Sequence, residues 1–122
     1  MGLDMHLDKL EANNDRQSLI YWGKVYQIFG WFERNCANGE ITNCESVTVS
    51  KFDLVNLLRD INTVLDDHSK AEKILPITEG FFFDRKKYDE RYFMELQYSK
   101  EEIERVLDDL TENDKLEFWA WW

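Results

Sequence analysis

The residues of this chain that could carry chemistry are mainly acids, concentrated near the C-terminal end. Between positions 99 and 117 eight carboxylates stand against three bases, a net charge of −5, which is half of the −10 of the whole chain. Such a field repels nucleic acid and anionic membrane and attracts basic protein surfaces. An acidic helix can imitate the phosphate backbone of DNA and occupy a basic groove, although a solvated helix face is the commoner use of such charge. The partner-binding candidates in this segment are Glu101, Glu104, Asp108 and Glu112.

The last five residues, 118–122, are mostly aromatic and form a second candidate for partner binding. Tryptophan, which occurs here three times, is enriched at the energetic centres of interfaces. In an extended strand Phe118 and Trp122 share one face, where we expect them to complete the core. Trp119 and Trp121 share the other face. If no helix covers them, they form an exposed apolar patch of the kind that binds a partner.

An aromatic and basic segment at 81–91 indicates a different chemistry. Three phenylalanines precede the only cluster of bases in the chain. Aromatic rings beside cations can hold a nucleotide or a signalling phosphate by stacking and ion pairing. A solvated loop whose bases balance the neighbouring acids explains the same pattern. The ligand-binding candidates are Phe82, Arg85, Lys86, Lys87 and Arg91.

Metal and nucleophilic chemistry have weak support in the sequence. Asp4 and His6 share one face of the first predicted strand and could bind a metal together with His68 or with the acids at 89 and 90, but no paired His or Cys spacing supports this. Cys36 and Cys44 are too few for a disulfide framework, and we expect both to be buried structural thiols. We therefore assign no catalytic residue, no metal and no cofactor.

The first half of the chain predicts one strand and one long helix. Leu3, Met5 and Leu7 alternate with polar residues, which is typical of a half-buried strand. A polar turn follows at 11–15. A helix is predicted over Arg16–Asn35, with apolar residues on most of its circumference, so that it would be the central helix. Its two glycines, at positions 23 and 30, indicate either a close approach by another backbone or a break in the helix.

Two capping patterns predict the start of later helices. Ser50 with Asp53 precedes an amphipathic helix that ends near position 67, and a helical turn follows at 71–75. Ser99 with Glu102 precedes a helix whose apolar stripe consists of Ile103, Val106, Leu107 and Leu110.

These elements predict one α+β domain over residues 1–122. We expect a small antiparallel sheet that includes the N- and C-terminal strands, packed against three or more helices. A hydrophobic fraction of 43% and an aromatic fraction of 15% favour a folded core over a disordered acidic chain. The sequence has neither a signal-peptide pattern nor an apolar run of the roughly 20 residues needed to span a bilayer, so we expect a cytoplasmic location.

Several motifs follow one another in a fixed order: Met1-Gly2-Leu3-Asp4-Met5, Tyr21-Trp22, Trp31-Phe32, Leu75-Pro76, Gly80-Phe81-Phe82-Phe83 and Tyr88-Asp89-Glu90. With them the chain resembles a family of small, mostly uncharacterised phage and prophage proteins over most of its length. The family usually has Arg, Asn and His where Gly23, Tyr26 and Phe29 stand here, and Tyr where His6 stands. The resemblance implies a phage origin, and the loss of these polar residues disfavours a shared enzymatic site.

The leading hypothesis is a non-enzymatic phage accessory protein that binds and inhibits a host protein in the bacterial cytoplasm. The target would present a basic surface and could belong to a defence system, as for an anti-CRISPR protein that mimics nucleic acid. Direct binding to nucleic acid or membrane is not expected, and homodimer formation stays open. The alternative is a nucleotide-binding protein or small enzyme that uses segment 81–91.

Overall fold

In residues 2–77 and 87–122, which a computed structural model describes, the chain forms four strands and four helices. The strands are β1 (Asp4–Leu10), β2 (Arg16–Gly23), β3 (Val47–Val49) and β4 (Lys115–Trp121). The helices are α1 (Tyr26–Cys36), α2 (Lys51–Asp66), α3 (Ala71–Ile74) and α4 (Glu90–Asp109). The strands form one antiparallel sheet in the order β2-β1-β4-β3. The predicted α+β fold with paired terminal strands is confirmed.

The predicted helix over Arg16–Asn35 is wrong in its first half, which is strand β2. Glu11 donates its amide to the carbonyl of Asp15 at 2.7 Å, and this turn folds β2 back onto β1. Ile20 and Trp22 are then buried while the intervening side chain is exposed, as expected for a strand with one solvated face. A short apolar run fits a helix as well as a strand, and here pairing with β1 decides between them.

The chain changes from strand to helix at Gly23 and Lys24. Lys24 has a φ of 57° and donates its amide to the carbonyl of Leu3 at 2.8 Å, which closes this corner. The two glycines therefore lie in different elements, and of the two alternatives the break is the one found, because β2 ends at Gly23. Helix α1 is nevertheless central, because each of the seven residues in Tyr26–Phe32 is buried.

The first predicted helix cap is confirmed at the start of α2. The Ser50 hydroxyl accepts the Asp53 amide at 3.0 Å, and the Asp53 carboxylate accepts the Ser50 amide at 2.9 Å. This reciprocal pair satisfies two of the backbone donors that a helix start leaves without partners.

The second predicted cap, Ser99 with Glu102, is wrong because α4 begins nine residues earlier, at Glu90. The carboxylate of Asp89 accepts the amide of Tyr92 at 3.2 Å and caps this end. Ser99 is buried in the middle of α4, where its hydroxyl accepts the indole N–H of Trp22 at 2.9 Å. The apolar stripe predicted for this helix is confirmed and packs inward.

The core lies between one face of the sheet and the helices. Phe118 on β4 is fully buried and stacks on Phe32 of α1, with ring centroids 4.1 Å apart. Trp122 is partly buried and meets the ring of Phe29 edge to face at 5.8 Å. Both were predicted to complete the core. Over the described ranges, no helix has the length and apolar composition to cross a membrane.

Candidate functional site

The sheet has an inner face in the core and an outer face that carries polar and aromatic side chains. Along β1, Met5 and Leu7 are fully buried on the inner face, whereas Asp4 and His6 on the outer face are half-buried. Helix α4 lies on the inner side, where Ser99 contacts Trp22. Helix α4 also reaches the edge of the sheet, where Tyr98 contacts β2.

Three aromatic rings lie side by side across the outer face, one from each of three neighbouring strands. His6 on β1 is the cross-strand partner of both Tyr21 on β2 and Trp119 on β4. The rings of His6 and Trp119 stack with centroids 4.4 Å apart and an interplanar angle of 13°. Tyr21 is tilted against His6 at 5.2 Å. We call these three residues together with Trp121 the aromatic face.

Carboxylates hold two of these rings in place. The Tyr21 hydroxyl donates to Asp4, and this hydrogen bond raises the pKa of the hydroxyl because ionisation would break it beside another negative charge. The indole N–H of Trp119 donates to Asp8 at 2.8 Å, and Asp8 is only 6% exposed. Arg16 neutralises this buried acid at 3.7 Å. These hydrogen bonds therefore fix the orientation of the Tyr21 and Trp119 rings.

The two predicted partner-binding tryptophans lie on one face, as expected, but in different environments. Trp119 is half-buried between His6 and Asp8, whereas Trp121 is 48% exposed. Tyr21, on the far side of β1, is 47% exposed. Trp121 and Tyr21 therefore offer the free ring surface, and Trp119 forms the support between them.

The exposed aromatic surface continues from Tyr21 around the edge of the sheet to α4. Tyr98 donates its hydroxyl to the carbonyl of Tyr21 at 2.9 Å, and burial raises the pKa of this hydroxyl. A groove of about 400 Å³ lies there, and Met94, 64% exposed, contributes to its wall. The Tyr98 hydroxyl also occupies an acceptor on β2, an edge strand that could otherwise pair with another chain.

The predicted acidic residues are exposed but lie apart from the tryptophans. Glu101, Glu104 and Asp108 are on the solvent side of α4, whose opposite side buries Ile103. Glu112 is also exposed and lies in the turn after α4 ends. These acids come from α4 and the turn after it, whereas Trp119 and Trp121 come from β4. The predicted partner-binding residues therefore form two separate sets.

The alternative ligand site falls largely outside the described residues. This applies to Phe82, Arg85 and Lys86. Lys87 is exposed. Arg91 lies in the first turn of α4, where it pairs with Glu95 at 3.7 Å. The described part of the segment therefore offers exposed bases and no formed phosphate site.

The metal and thiol predictions have separate outcomes. Within 2–77 and 87–122, no three His, Cys, Asp or Glu residues come together to hold a metal ion. Cys36 is half-buried beside Asp53, and burial raises the pKa of its thiol to about 12, which disfavours the reactive thiolate. Cys44 is exposed, so its predicted burial was wrong. It lies in a turn with a φ of 69° that the sequence did not reveal.

Sequence reasoning identified Trp119 and Trp121 but missed Tyr21 and His6 as members of the aromatic face. Tyr21 was assigned to a helix, and Asp4 and His6 were considered only as metal ligands. The alternation of buried Ile20, exposed Tyr21 and buried Trp22 is visible only in the structure, because the three side chains are all apolar or aromatic in the sequence. The contribution of Asp8 had no local signal at all.

Comparison of the chain with known proteins found no matching family model, no matching curated protein and no matching solved structure.

Proposed function

We propose that this chain is a non-enzymatic phage accessory protein that binds and inhibits a basic host protein, and that it docks through the aromatic face. The observation that carries the proposal is the pair of half-exposed rings, Trp121 and Tyr21, on a face where hydrogen bonds to Asp4 and Asp8 fix the rings of Tyr21 and Trp119. Rigid aromatic residues bury large areas at low cost in conformational entropy, and they dominate interface energetics. The phage origin rests on the family resemblance, which implies no mechanism, and the inhibitory role is part of the proposal.

The charge of the molecule supports a basic partner. A net charge of −10 attracts positively charged surfaces and speeds their diffusional encounter. The exposed acids Glu101, Glu104 and Asp108 contribute to this field from α4. We therefore assign the docking contact to the aromatic face and the long-range electrostatic attraction to the acids of α4. The proposed class of target is a defence complex that handles nucleic acid.

The test is a pull-down from host lysate with matched variants, followed by mass spectrometry. Trp121→Ala and Tyr21→Ala remove the exposed rings, and Phe52→Ala removes an aromatic ring that is 71% exposed on α2. We expect one specific protein to be captured by the wild type and by Phe52→Ala, and to be lost with the aromatic-face variants. The wild type and Phe52→Ala should also inhibit the captured protein, whereas Trp121→Ala and Tyr21→Ala should not.

Binding kinetics then distinguish docking through the aromatic face from docking through an acidic helix that mimics nucleic acid. We expect the triple variant Glu101→Gln, Glu104→Gln, Asp108→Asn to associate more slowly and to dissociate at the wild-type rate, because charges away from the contact act mainly on the on-rate. If this variant fails to bind while Trp121→Ala binds like the wild type, the acidic helix is the docking site and the proposal is wrong.

A further inference from the structure

Within residues 2–77 and 87–122, Asp4 is a carboxylate of the outer face that forms no ion pair. Asp8 and Glu117 both pair with Arg16, at 3.7 and 2.5 Å. Asp4 accepts the hydroxyl of Tyr21, a neutral donor, and forms no ion pair within 4.0 Å with a described base. The side chain of Lys24 lies nearby, since a Cβ at Gly2 would be 3.8 Å from Lys24 Cε and 4.0 Å from Asp4 Oδ2. A half-exposed carboxylate has acceptor capacity for further donors.

The register of the sheet places this carboxylate between two exposed rings. Across β1, Asp4 is the cross-strand partner of Gly23 on β2 and of Trp121 on β4. Gly23 has no side chain, and a Cβ there would lie 3.3 Å from the Tyr21 hydroxyl oxygen, so the Tyr21 ring lies over Gly23. Asp4 is therefore bordered by Tyr21 on one side and by Trp121 on the other, over two strand spacings of about 4.8 Å each.

A carboxylate between two aromatic rings matches the chemistry of a guanidinium group. Guanidinium donates parallel hydrogen bonds to a carboxylate, and its flat faces stack on aromatic rings. An ammonium group can pair with the carboxylate but lacks a plane to stack. We propose that Asp4, Tyr21 and Trp121 bind an arginine side chain of a basic polypeptide. This inference rests on the proposed function and names the group that the aromatic face recognises.

The test uses a hexa-arginine peptide titrated into the full 15N-labelled chain and followed by NMR. Asp4→Asn removes the charge but keeps an oxygen that can accept the Tyr21 hydroxyl. Asp108→Asn removes the same charge from α4 and is the matched control. We expect Asp4→Asn to weaken hexa-arginine binding about fivefold or more, because a charge-assisted hydrogen bond is lost, and Asp108→Asn to weaken it less than about twofold.

Two further arms check ring stacking and cation type. Trp121→Ala, which changes an exposed side chain, should also weaken binding and should abolish the shifts of the Asp4 and Tyr21 signals. Hexa-lysine should bind more weakly than hexa-arginine to the wild type. Circular dichroism melts of all variants establish that each one is folded.

Three results would overturn the arginine site. The first is that Asp4→Asn and Asp108→Asn weaken hexa-arginine binding equally, which indicates general electrostatic attraction. The second is that Asp4→Asn binds hexa-arginine with wild-type affinity, and the third is that the wild type binds hexa-lysine as tightly as hexa-arginine. If one of them occurs while host-protein capture still depends on Trp121, the arginine site fails and the proposed function stands. If Asp4 determines hexa-arginine binding but capture is independent of Trp121, the proposed function fails and the site stands.

Discussion

At the scale of single residues, one buried hydrogen bond ties the edge of the sheet to helix α4. Trp22 on β2 is 77 residues from Ser99 in sequence, and its indole N–H donates to the Ser99 hydroxyl at 2.9 Å. That hydroxyl in turn donates to the carbonyl of Glu95 at 2.8 Å. Both donors are thus satisfied inside the core, where a donor without an acceptor is costly.

We expect Ser99→Ala to lower the free energy of unfolding by about 1–3 kcal/mol, because the buried indole N–H of Trp22 loses its acceptor. Chemical denaturation measures this change. Ser18→Ala, at an exposed position of the same strand as Trp22, is the control and should change stability by about 0.5 kcal/mol or less. Equal stability of Ser99→Ala and wild type would show that the bond is not formed.

At the scale of elements, the C-terminal strand β4 occupies an interior position in the sheet. It pairs with β1 on one side and with β3 on the other. The buried side chains of Leu116, Phe118 and Ala120 come from this strand. Because β4 pairs on both sides and contributes to the core, we expect the fold to depend on this segment.

Deleting residues 118–122 should abolish cooperative unfolding. Phe118 alone buries a side chain worth about 1.5–3 kcal/mol, and β1 loses four of its seven paired positions on β4, while β3 loses one of three. Thermal melts followed by circular dichroism measure the effect. Trp121→Ala, which keeps the strand and removes an exposed ring, is the control and should melt near the wild type. A truncated chain that melts at the wild-type temperature would contradict the position of β4.

At the scale of the whole molecule, the acids of α4 and the exposed rings of the sheet belong to different elements. Glu101 and Asp108 are exposed on α4, whereas Trp121 is exposed on β4. These charges can still influence association, because electrostatic attraction extends over about a Debye length, roughly 8 Å at physiological ionic strength. The molecule thus separates long-range attraction from short-range contact.

The purified protein should not bind duplex DNA at physiological salt, because its net charge of −10 opposes approach to the phosphates. Fluorescence polarisation with a labelled duplex measures this between 50 and 200 mM salt, a range over which a protein with several phosphate contacts would lose affinity about 10³-fold or more. Tight binding at low salt that falls steeply as salt rises would reveal a basic face and contradict the assignment of a basic partner.

The sequence by itself determined the elements whose signals are local. The alternation of Met5 and Leu7 with polar residues predicted β1, and the reciprocal Ser50–Asp53 cap predicted the start of α2. The apolar residues of 118–122 predicted a terminal strand with a core-facing side. Such patterns involve residues within one or two turns or a few strand positions of each other, so they can be interpreted without knowledge of distant partners.

The tertiary structure alone decided which distant residues meet. Tyr21 became a strand residue because β2 pairs with β1, although its apolar neighbours fit a helix equally well. Trp119 is held by Asp8, which is 111 residues away in sequence. Asp4 lies between Tyr21 and Trp121 only because β1 is placed between β2 and β4. Strand order and register are set by the packing of the whole core, so no local pattern could have predicted that Asp4, Tyr21 and Trp121 lie together.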